Sequence, residues 1–596
     1  MSNQVNFRMK NISIHLRKFW LVSSAVLSAG LTLVSCEDFL FTDPLNEIVE
    51  TNYWDRKADV ESVVFSCYSG FQNKDCQQRM FLWGEARSEN ITYTSGTKVD
   101  LKQILGENIL ESSPWVTWKD FYTVINRCNT VIERAPGVQA IDPNYTYAEM
   151  KSHIAEVTWL RTLAYFYLAR TFRDVPYTAK ASTNDENIER DYCLKPTPFK
   201  QLLKQLSEDL EAVKNDALKY YPLSDVSSLS SQGYTAYLEG AEHALYNPYN
   251  TSRVTKCAFY ALLADLYLWQ GEYQKCIDNT EQVLQYKREL YEDAKEYSEN
   301  DLIRAIKLAY DKYPLISDNP TSSKMGTAYQ HIFYRGNSFE SIFEFYYQKN
   351  LSPANDLVSY FFGNAEKSED GQFLAWYGVR QGVYEGNNEL YDQNDYRAAE
   401  YIRNQETEFP IMKYYAATAQ VTPPVQAGKE PTVEYSIRSD LFHNWIIYRL
   451  TDVMLMRAEA LIELDGQDNL QEAFELISAV YNRACGLKST TDAKCLKFSD
   501  YGDQSKMREL VQKERNRELI FEGKRWFDLV RYALREPNND KLIATVIGKQ
   551  KEKPTAVRIQ LQSRDALFWP YHKSELDVNK NLTQNPAYIT NESSEK

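Results

Sequence analysis

The stretch from Glu514 to Asp528 (Glu-Arg-Asn-Arg-Glu-Leu-Ile-Phe-Glu-Gly-Lys-Arg-Trp-Phe-Asp) is where this sequence most resembles a place for chemistry. Two carboxylates facing each other across a cleft are what general acid/base hydrolysis of a glycosidic bond needs. On a helix, Glu514, Glu518, Glu522 and Arg525 fall on one stripe, with Phe521 and Trp526 toward an apolar side. Carboxylates interleaved with arginines and flanked by rings more often neutralise one another than act on a substrate. Glu514, Arg517, Glu518, Glu522, Arg525 and Asp528 are therefore expected to form a structural ion network, and no catalytic residue is assigned.

Other chemistries find less support. The six His are scattered singly at 15, 153, 243, 331, 443 and 572, with no HExxH and no Ser/His/Asp order. No glycine-rich phosphate loop and no CxxC is present, so neither a cofactor nor a metal is expected. A formal charge of -14 opposes binding to phosphate backbones, which excludes nucleic acid as a partner. What remains is recognition. Aromatic residues make up 13% of a chain with a hydrophilic mean hydropathy, more than core filling needs. Tyr93, Tyr360, Trp376, Tyr377 and Tyr384 sit in loop-like contexts and, with Asn73 and Arg79 as hydrogen-bonding partners, form the candidate ligand site. Ring faces of this kind suit the flat faces of sugars, so the expected ligand is an oligosaccharide or polysaccharide, with a peptide as the alternative. A surface glycoside hydrolase and a protein-binding scaffold are the minor alternatives.

These residues need a scaffold, and the composition points to helices: there are only 22 Gly, while Leu, Ala, Glu, Lys, Gln and Arg are plentiful. Apolar residues at three- and four-residue spacing predict a helix from Trp118 to Arg134, stopped by Pro136-Gly137, and another from about Ser152 to Phe172. A third has Thr197 as N-cap and Pro198 at its first position. Val254 to Leu284 carries Ala264, Tyr267, Gly271, Tyr273 and Cys276 at tetratricopeptide (TPR) spacing, with Cys276 in place of the usual Ala. Met454 to Val480 is a degenerate relative with about three extra residues in its turn. The units are expected to be separated by other material rather than stacked as a clean array. Between roughly 320 and 440 the periodicity fails and Gly, Asn, Pro and rings accumulate, as in a functional loop region.

At the N-terminus, Arg17 and Lys18 precede an apolar run from Phe19 to Val34, too short for a membrane-spanning helix. Its end, Leu33-Val34-Ser35-Cys36, resembles the bacterial lipobox, so residues 1–35 are expected to be a lipoprotein signal and Cys36 the lipidated residue that attaches the chain to a membrane. Glu37-Asp38 resembles the surface-export signal of Bacteroidetes lipoproteins. Among the other eight Cys, Cys485 and Cys495 are close enough in sequence to pair in an oxidising compartment.

Taken together, several stretches resemble the SusD/RagB family. They are Cys36-Glu37-Asp38-Phe39-Leu40 with Asp43-Pro44; Trp159 to Leu168; Arg449-Leu450-Thr451-Asp452-Val453 with Arg457-Ala458-Glu459-Ala460; Glu514 to Asp528; and Trp569-Pro570 with Gln584 to Tyr588. The resemblance implies a mainly α fold: a SusD-like helical scaffold with several TPR-like helix pairs, long irregular loops and minor β. It also implies a single mature domain over 36–596, made of an N-terminal part (36–320), a loop-rich insertion holding the ligand site (320–440) and a C-terminal part (440–596). It implies a lipid-anchored protein facing the cell exterior at the outer membrane, and a SusC-like TonB-dependent transporter as partner. Ligand contacts in the family come from variable loops, so the resemblance assigns no binding residue.

Overall fold

Thr146-Tyr147-Ala148-Glu149 opens the central helix with a capping box: Thr146 Oγ1 accepts from Glu149 N at 3.3 Å and Glu149 Oε2 accepts from Thr146 N at 3.0 Å. The computed structural model describes residues 53–183, 185–221, 249–295, 304–318, 326–347, 355, 357, 377–379, 390–392, 395–402, 411–414, 416–422, 432–437, 442–487, 492–550 and 553–589. The first elements are α1 (Lys57–Gln72), α2 (Lys74–Glu85), β1 (Ile91–Tyr93), α3 (Val99–Leu105), α4 (Lys119–Ile141) and α5 (Tyr147–Phe172). They are followed by β2 (Val175–Pro176), β3 (Pro196–Thr197), α6 (Phe199–Val213), α7 (Lys256–Gln270), α8 (Tyr273–Lys295), β4 (Ile306–Ala309) and β5 (Tyr313–Ile316). Next come β6 (Ser341–Phe345), β7 (Tyr377–Val379), β8 (Ala416–Thr422), β9 (Thr432–Ile437) and β10 (Trp445–Arg449). The last long helices are α9 (Leu450–Leu464), α10 (Gln467–Ala484), α11 (Gln504–Leu519) and α12 (Arg525–Arg535).

The helices form a line of neighbours: α1 on α4, α4 on α5, α5 on α6, α6 on α7, then α7, α8, α9 and α10 in succession, with α11 against α9 and α10. Here the fold departs from the sequence reading. The two TPR-like units, α7–α8 and α9–α10, are far apart in sequence yet stack directly. Arg457 Nη1 donates to Ile277 O at 2.8 Å across that junction, and Cys276 and Ala458 are wholly buried. Each unit needs a neighbour to cover its apolar face, and chain continuity is not required for that. The second unit also turns on just Asp465-Gly466, as tightly as Gly271-Glu272 in the first, so the extra residues are not in the turn.

Helix ends differ in informative ways. α4 does not stop at Pro136-Gly137 but runs to Ile141. Pro136 removes one backbone donor, but Pro136 and Gly137 lie on the exposed side, where water can satisfy the freed carbonyl, while Ala135 and Val138 stay buried and hold the helix to the core. α6 begins one residue later than expected, with Pro198 as its N-cap residue, because Thr197 pairs with Val175 in β3. Among the described residues the strands form five two-stranded antiparallel ribbons: β1–β7, β2–β3, β4–β5, β6–β10 and β8–β9.

Trp83, Trp159, Trp445, Trp526 and Trp569, drawn from the whole length of the chain, are almost completely buried in one continuous core. Cys485 and Cys495 are separate thiols in the structure. No helix among the described residues is long and apolar enough to cross a membrane.

Candidate functional site

β1 is three residues long, and its pairing with β7 gives the register Ile91↔Val379, Thr92↔Gly378 and Tyr93↔Tyr377. Ile91, at the start of the strand, is buried, whereas Tyr93, at its end, is 47% exposed. Positions 93 and 377, both candidates from sequence, are thus brought opposite each other across the ribbon, where directly facing residues are close neighbours. α3 packs against β1, and Lys102 Nζ lies 5.5 Å from the Tyr93 ring centroid. After the strand, Thr94 N donates to Thr97 Oγ1 at 2.7 Å and closes the turn that leads into α3. An outward ring beside an ammonium group offers an apolar face and a hydrogen-bond donor together, which suits a hydroxylated ring.

The other sequence candidates divide in two. Arg79 does not serve a ligand: it is 5% exposed, and its guanidinium donates to Asp75 O at 2.8 Å, Asp120 Oδ2 at 3.1 Å and Pro114 O at 2.9 Å, fastening α2 to the start of α4. Asn73 is exposed, but its side chain accepts from Asp75 N at 3.1 Å as the N-cap of α2. Cys36, Tyr360, Trp376 and Tyr384 lie outside the described residues, and Tyr377 is described by its backbone alone.

A buried polar turn leads into β1. Asn90 Nδ2 donates to Glu85 Oε1 at 3.2 Å and to Asn516 Oδ1 at 2.8 Å, and Arg525 Nη2 meets Glu89 Oε1 at 2.6 Å. Burial pushes the Glu85 carboxyl up to about 7, against the opposing hydrogen bonds from Asn90 and the Phe521 backbone.

Beneath this turn lies the Glu514–Asp528 segment, which is not one helix. α11 ends at Leu519, Phe521 and Gly523 adopt left-handed φ of 65° and 71°, and α12 restarts at Arg525, so Glu522 and Arg525 do not share a helical stripe with Glu514 and Glu518. The break has a cause. The α11 C-terminal carbonyls lack helical partners, and buried cations take them instead: Lys413 Nζ donates to Glu518 O at 2.9 Å and Ile520 O at 3.0 Å, and Arg449 Nη2 donates to Glu518 O at 2.7 Å. α2 also crosses the break so closely that a Cβ on Gly84 would come within 1.7 Å of Gly523 O.

Every carboxylate of the segment is paired. Glu514 meets Arg397 at 2.8 Å and Arg517 at 3.2 Å, and Glu518 meets Arg397 at 2.8 Å, Arg449 at 2.6 Å and also Arg483. Glu522 meets Lys413 at 2.6 Å and Arg449 at 2.7 Å, and Asp528 meets Arg515 at 2.9 Å and Arg531 at 2.8 Å. Burial alone would raise the Glu518 carboxyl, yet Arg483, Arg449 and Arg397 hold it well below the usual carboxylate range. Glu522 is likewise held at about 2, against burial, by Arg449 and Lys413. Burial brings the Lys413 ammonium down to about 8 even with Glu522 beside it. Carboxylates this deep and this fully paired have no access to a substrate and no proton to exchange with one.

Sequence reasoning did not find Lys102, nor the cations Arg397, Lys413, Arg449 and Arg483, nor Glu89. All but Lys102 meet their partners over long sequence separations that leave no local spacing to read. Among the described residues no group of three His, Cys, Asp or Glu is placed to hold a metal ion.

Stacked TPR-type helix pairs, short antiparallel ribbons and a β1–β7 ribbon braced by a buried ion cluster define a helical scaffold of the SusD type. Residues 327–588 match the SusD family. SusD-like protein P38 of Formosa agariphila is 24% identical over 98% of this chain and 100% of its own length. A SusD superfamily protein from Bacteroides vulgatus superposes with a TM-score of 0.60 at 17% identity, covering 90% of this chain and 100% of that one. Surface glycan-binding protein A from Bacteroides thetaiotaomicron, in complex with laminarihexaose, gives 0.58 at 18% identity, covering 89% and 99%. Residues 327–588 of this chain thus belong to the SusD family, and the chain is SusD-like along the rest of its length.

Proposed function

We propose that this protein is a cell-surface lipoprotein, anchored through Cys36, that captures oligosaccharide and delivers it to a SusC-like TonB-dependent transporter in the outer membrane, with no catalysis of its own. The observation that carries the ligand part is the β1–β7 ribbon, on which Tyr93 stands half exposed beside Lys102. Tyr360, Trp376, Tyr377 and Tyr384 are proposed as the other rings of the site, within a loop-rich insertion over 320–440. The similar fold of a surface glycan-binding protein in complex with laminarihexaose supports the same reading. So does the saturation of the acidic segment by cations, which leaves recognition rather than hydrolysis.

The test is calorimetric titration of residues 37–596 with laminari-, malto-, cello- and xylohexaose and with mixed peptides, alongside Tyr93→Ala. Saccharide binding that falls about tenfold in the variant is the expected result, the equivalent of ~1.4 kcal/mol. Peptide binding without any saccharide response would overturn the ligand assignment, and turnover of a saccharide by the isolated protein would overturn the non-catalytic one.

A further inference from the structure

Cys67 and Cys128 sit on facing helices. Arg127 Nη1 donates to Ser66 O at 2.7 Å, a Cβ on Gly70 would come within 2.5 Å of Val124 Cγ2, and the Phe71 and Phe121 ring centroids are 6.2 Å apart. Position rises along α1 as it falls along α4, so the two helices cross antiparallel, and in that register Cys67 falls opposite Cys128. Helical periodicity puts Cys67 one turn from Gly70 and Cys128 one turn from Val124, on the same two faces. Both cysteines are wholly buried, and they are separate thiols in the structure.

A disulfide joins Cα atoms about 4.4–6.8 Å apart. Facing positions on two packed helices reach that range when nothing bulky stands between the backbones, and Gly70 leaves Val124 directly against the α1 backbone. Cys67 Sγ donates to Val63 O at 3.3 Å, a weak bond that oxidation gives up. Burial, and after it the adjacent Cys128 thiol, push the Cys67 thiol well above its usual range. Exchange runs through the thiolate, so the folded pair reacts slowly in either direction. A bond between these two must therefore form while the chain folds, before α1 closes on α4, and it is then shielded from reductant.

We propose that Cys67 and Cys128 form a disulfide that staples α1 to α4 in the exported protein. The inference rests on the reading of this chain as a cell-surface lipoprotein, because disulfides persist outside the cytosol. The oxidant is an external disulfide, carried by an oxidoreductase or a low-molecular-weight thiol. One cysteine thiolate attacks a sulfur of that disulfide and expels a first thiolate, giving a mixed disulfide. The other cysteine thiolate then attacks the protein-side sulfur and expels the second. Two electrons pass to the oxidant, whose two thiolates take up the two protons. The linkage closes the loop from α1 through α2 and β1 to α4, so it constrains the unfolded chain over the segment that launches the β1–β7 ribbon.

Refolding of residues 37–596 in a glutathione redox buffer, followed by alkylation in guanidinium and peptide mass spectrometry, tests it. The peptides carrying Cys67 and Cys128 should appear cross-linked and separate on reduction, and two of the eight thiols should be missing from a titration under denaturing conditions. The oxidised protein should melt several degrees above protein refolded in dithiothreitol. Cys67→Ala/Cys128→Ala should melt at one temperature under both conditions, and this comparison holds even where the variant is less stable overall. Eight titratable thiols, or a link to another cysteine in place of this one, would overturn the pairing, as would an equal melting difference in the double variant. The same alkylation of full-length protein from the membrane fraction of expressing bacteria keeps the two readings apart. Acyl chains on Cys36 with Cys67 and Cys128 both alkylated would overturn the staple and leave the lipoprotein standing. An unacylated Cys36 would overturn the lipoprotein reading, and the refolded protein then decides the pairing by itself.

Discussion

Arg525 Nη2 lies 2.6 Å from Glu89 Oε1, joining the first residue of α12 to the turn that launches β1. The two side chains are 8% and 11% exposed, and Arg525 Nε also donates to Glu89 Oε1 at 3.0 Å. Asn516 Nδ2 reaches the same carboxylate at 3.2 Å. The strand that presents Tyr93 is therefore held by the far end of the chain. A charged segment of the sequence thus acts by holding a strand in place.

Arg525→Ala leaves the Glu89 carboxylate mostly buried without its cation, and removal of one partner from such a pair costs about 3 kcal/mol. Urea unfolding should show that loss, and saccharide affinity should weaken as β1 loosens. The double variant Glu89→Gln/Arg525→Ala should lose less than the sum of the single changes. Strict additivity would mean that the two residues are not coupled.

Two glycines should respond in opposite directions to the same substitution. A methyl at Gly84 would meet Gly523 O at 1.7 Å, where α2 crosses the α11–α12 break, so Gly84→Ala must push backbone from backbone and should cost more than ~2 kcal/mol. Gly137 sits in the exposed last part of α4 with nothing within 4 Å of a new Cβ, so Gly137→Ala should raise stability by about 0.5–1 kcal/mol. Melting temperatures of the two variants decide the matter.

Glu85 gives the fold a dependence on neutral pH. Its folded pKa, raised by burial to about 7, exceeds the unfolded value of 4.5. The neutral carboxyl is therefore favoured on folding, its contribution is complete below pH 4.5, and it is lost as pH rises through 7. Glu85→Gln should remove this dependence and become the more stable form at pH 8, with a change relative to wild type on the order of 3 kcal/mol between pH 4.5 and 8.5. Parallel unfolding curves for the two proteins across that range would sink the assignment.

The helices were legible where local chemistry specifies them. Three- and four-residue spacing marks α5, and Gly271, with φ of 77°, ends α7 as its position in the sequence predicts. The capping box at Thr146 and Glu149 was there to be read and would have placed the start of α5 five residues earlier than the apolar pattern did. Pro136 misled because its effect depends on which side of the helix meets water, and that is a tertiary fact. The candidate site was half legible. Tyr93 and Tyr377 stand in loop-like contexts in the sequence, but only strand pairing puts them opposite each other. Arg79 has a side chain suited to ligand binding, but its burial against Asp120 and Pro114 withholds it. The break at Leu519 was illegible because its cause, Lys413 and Arg449 taking the last carbonyls, comes from elsewhere in the chain.

Arg449 has no adequate substitute. Its guanidinium spans Glu518 at 2.6 Å and Glu522 at 2.7 Å while donating to Glu518 O, a fork that a single ammonium cannot reproduce. Arg449→Met should cost about 3–5 kcal/mol, because two carboxylates lose a shared buried cation, and Arg449→Lys should recover only a minor part. Acid sensitivity follows from the same geometry. Glu522 is held near 2 when folded against 4.5 when unfolded, so its contribution is present above pH 4.5 and lost as pH falls toward 2. In Arg449→Met the Glu522 and Glu518 carboxyls lose the cation that depresses them, and acid unfolding should move to higher pH by about one unit or more. Circular dichroism titrations of wild type, Arg449→Lys and Arg449→Met should rank the acid midpoints in that order, wild type lowest. Coincident midpoints would show that Lys413, Arg397 and Arg483 suffice without Arg449.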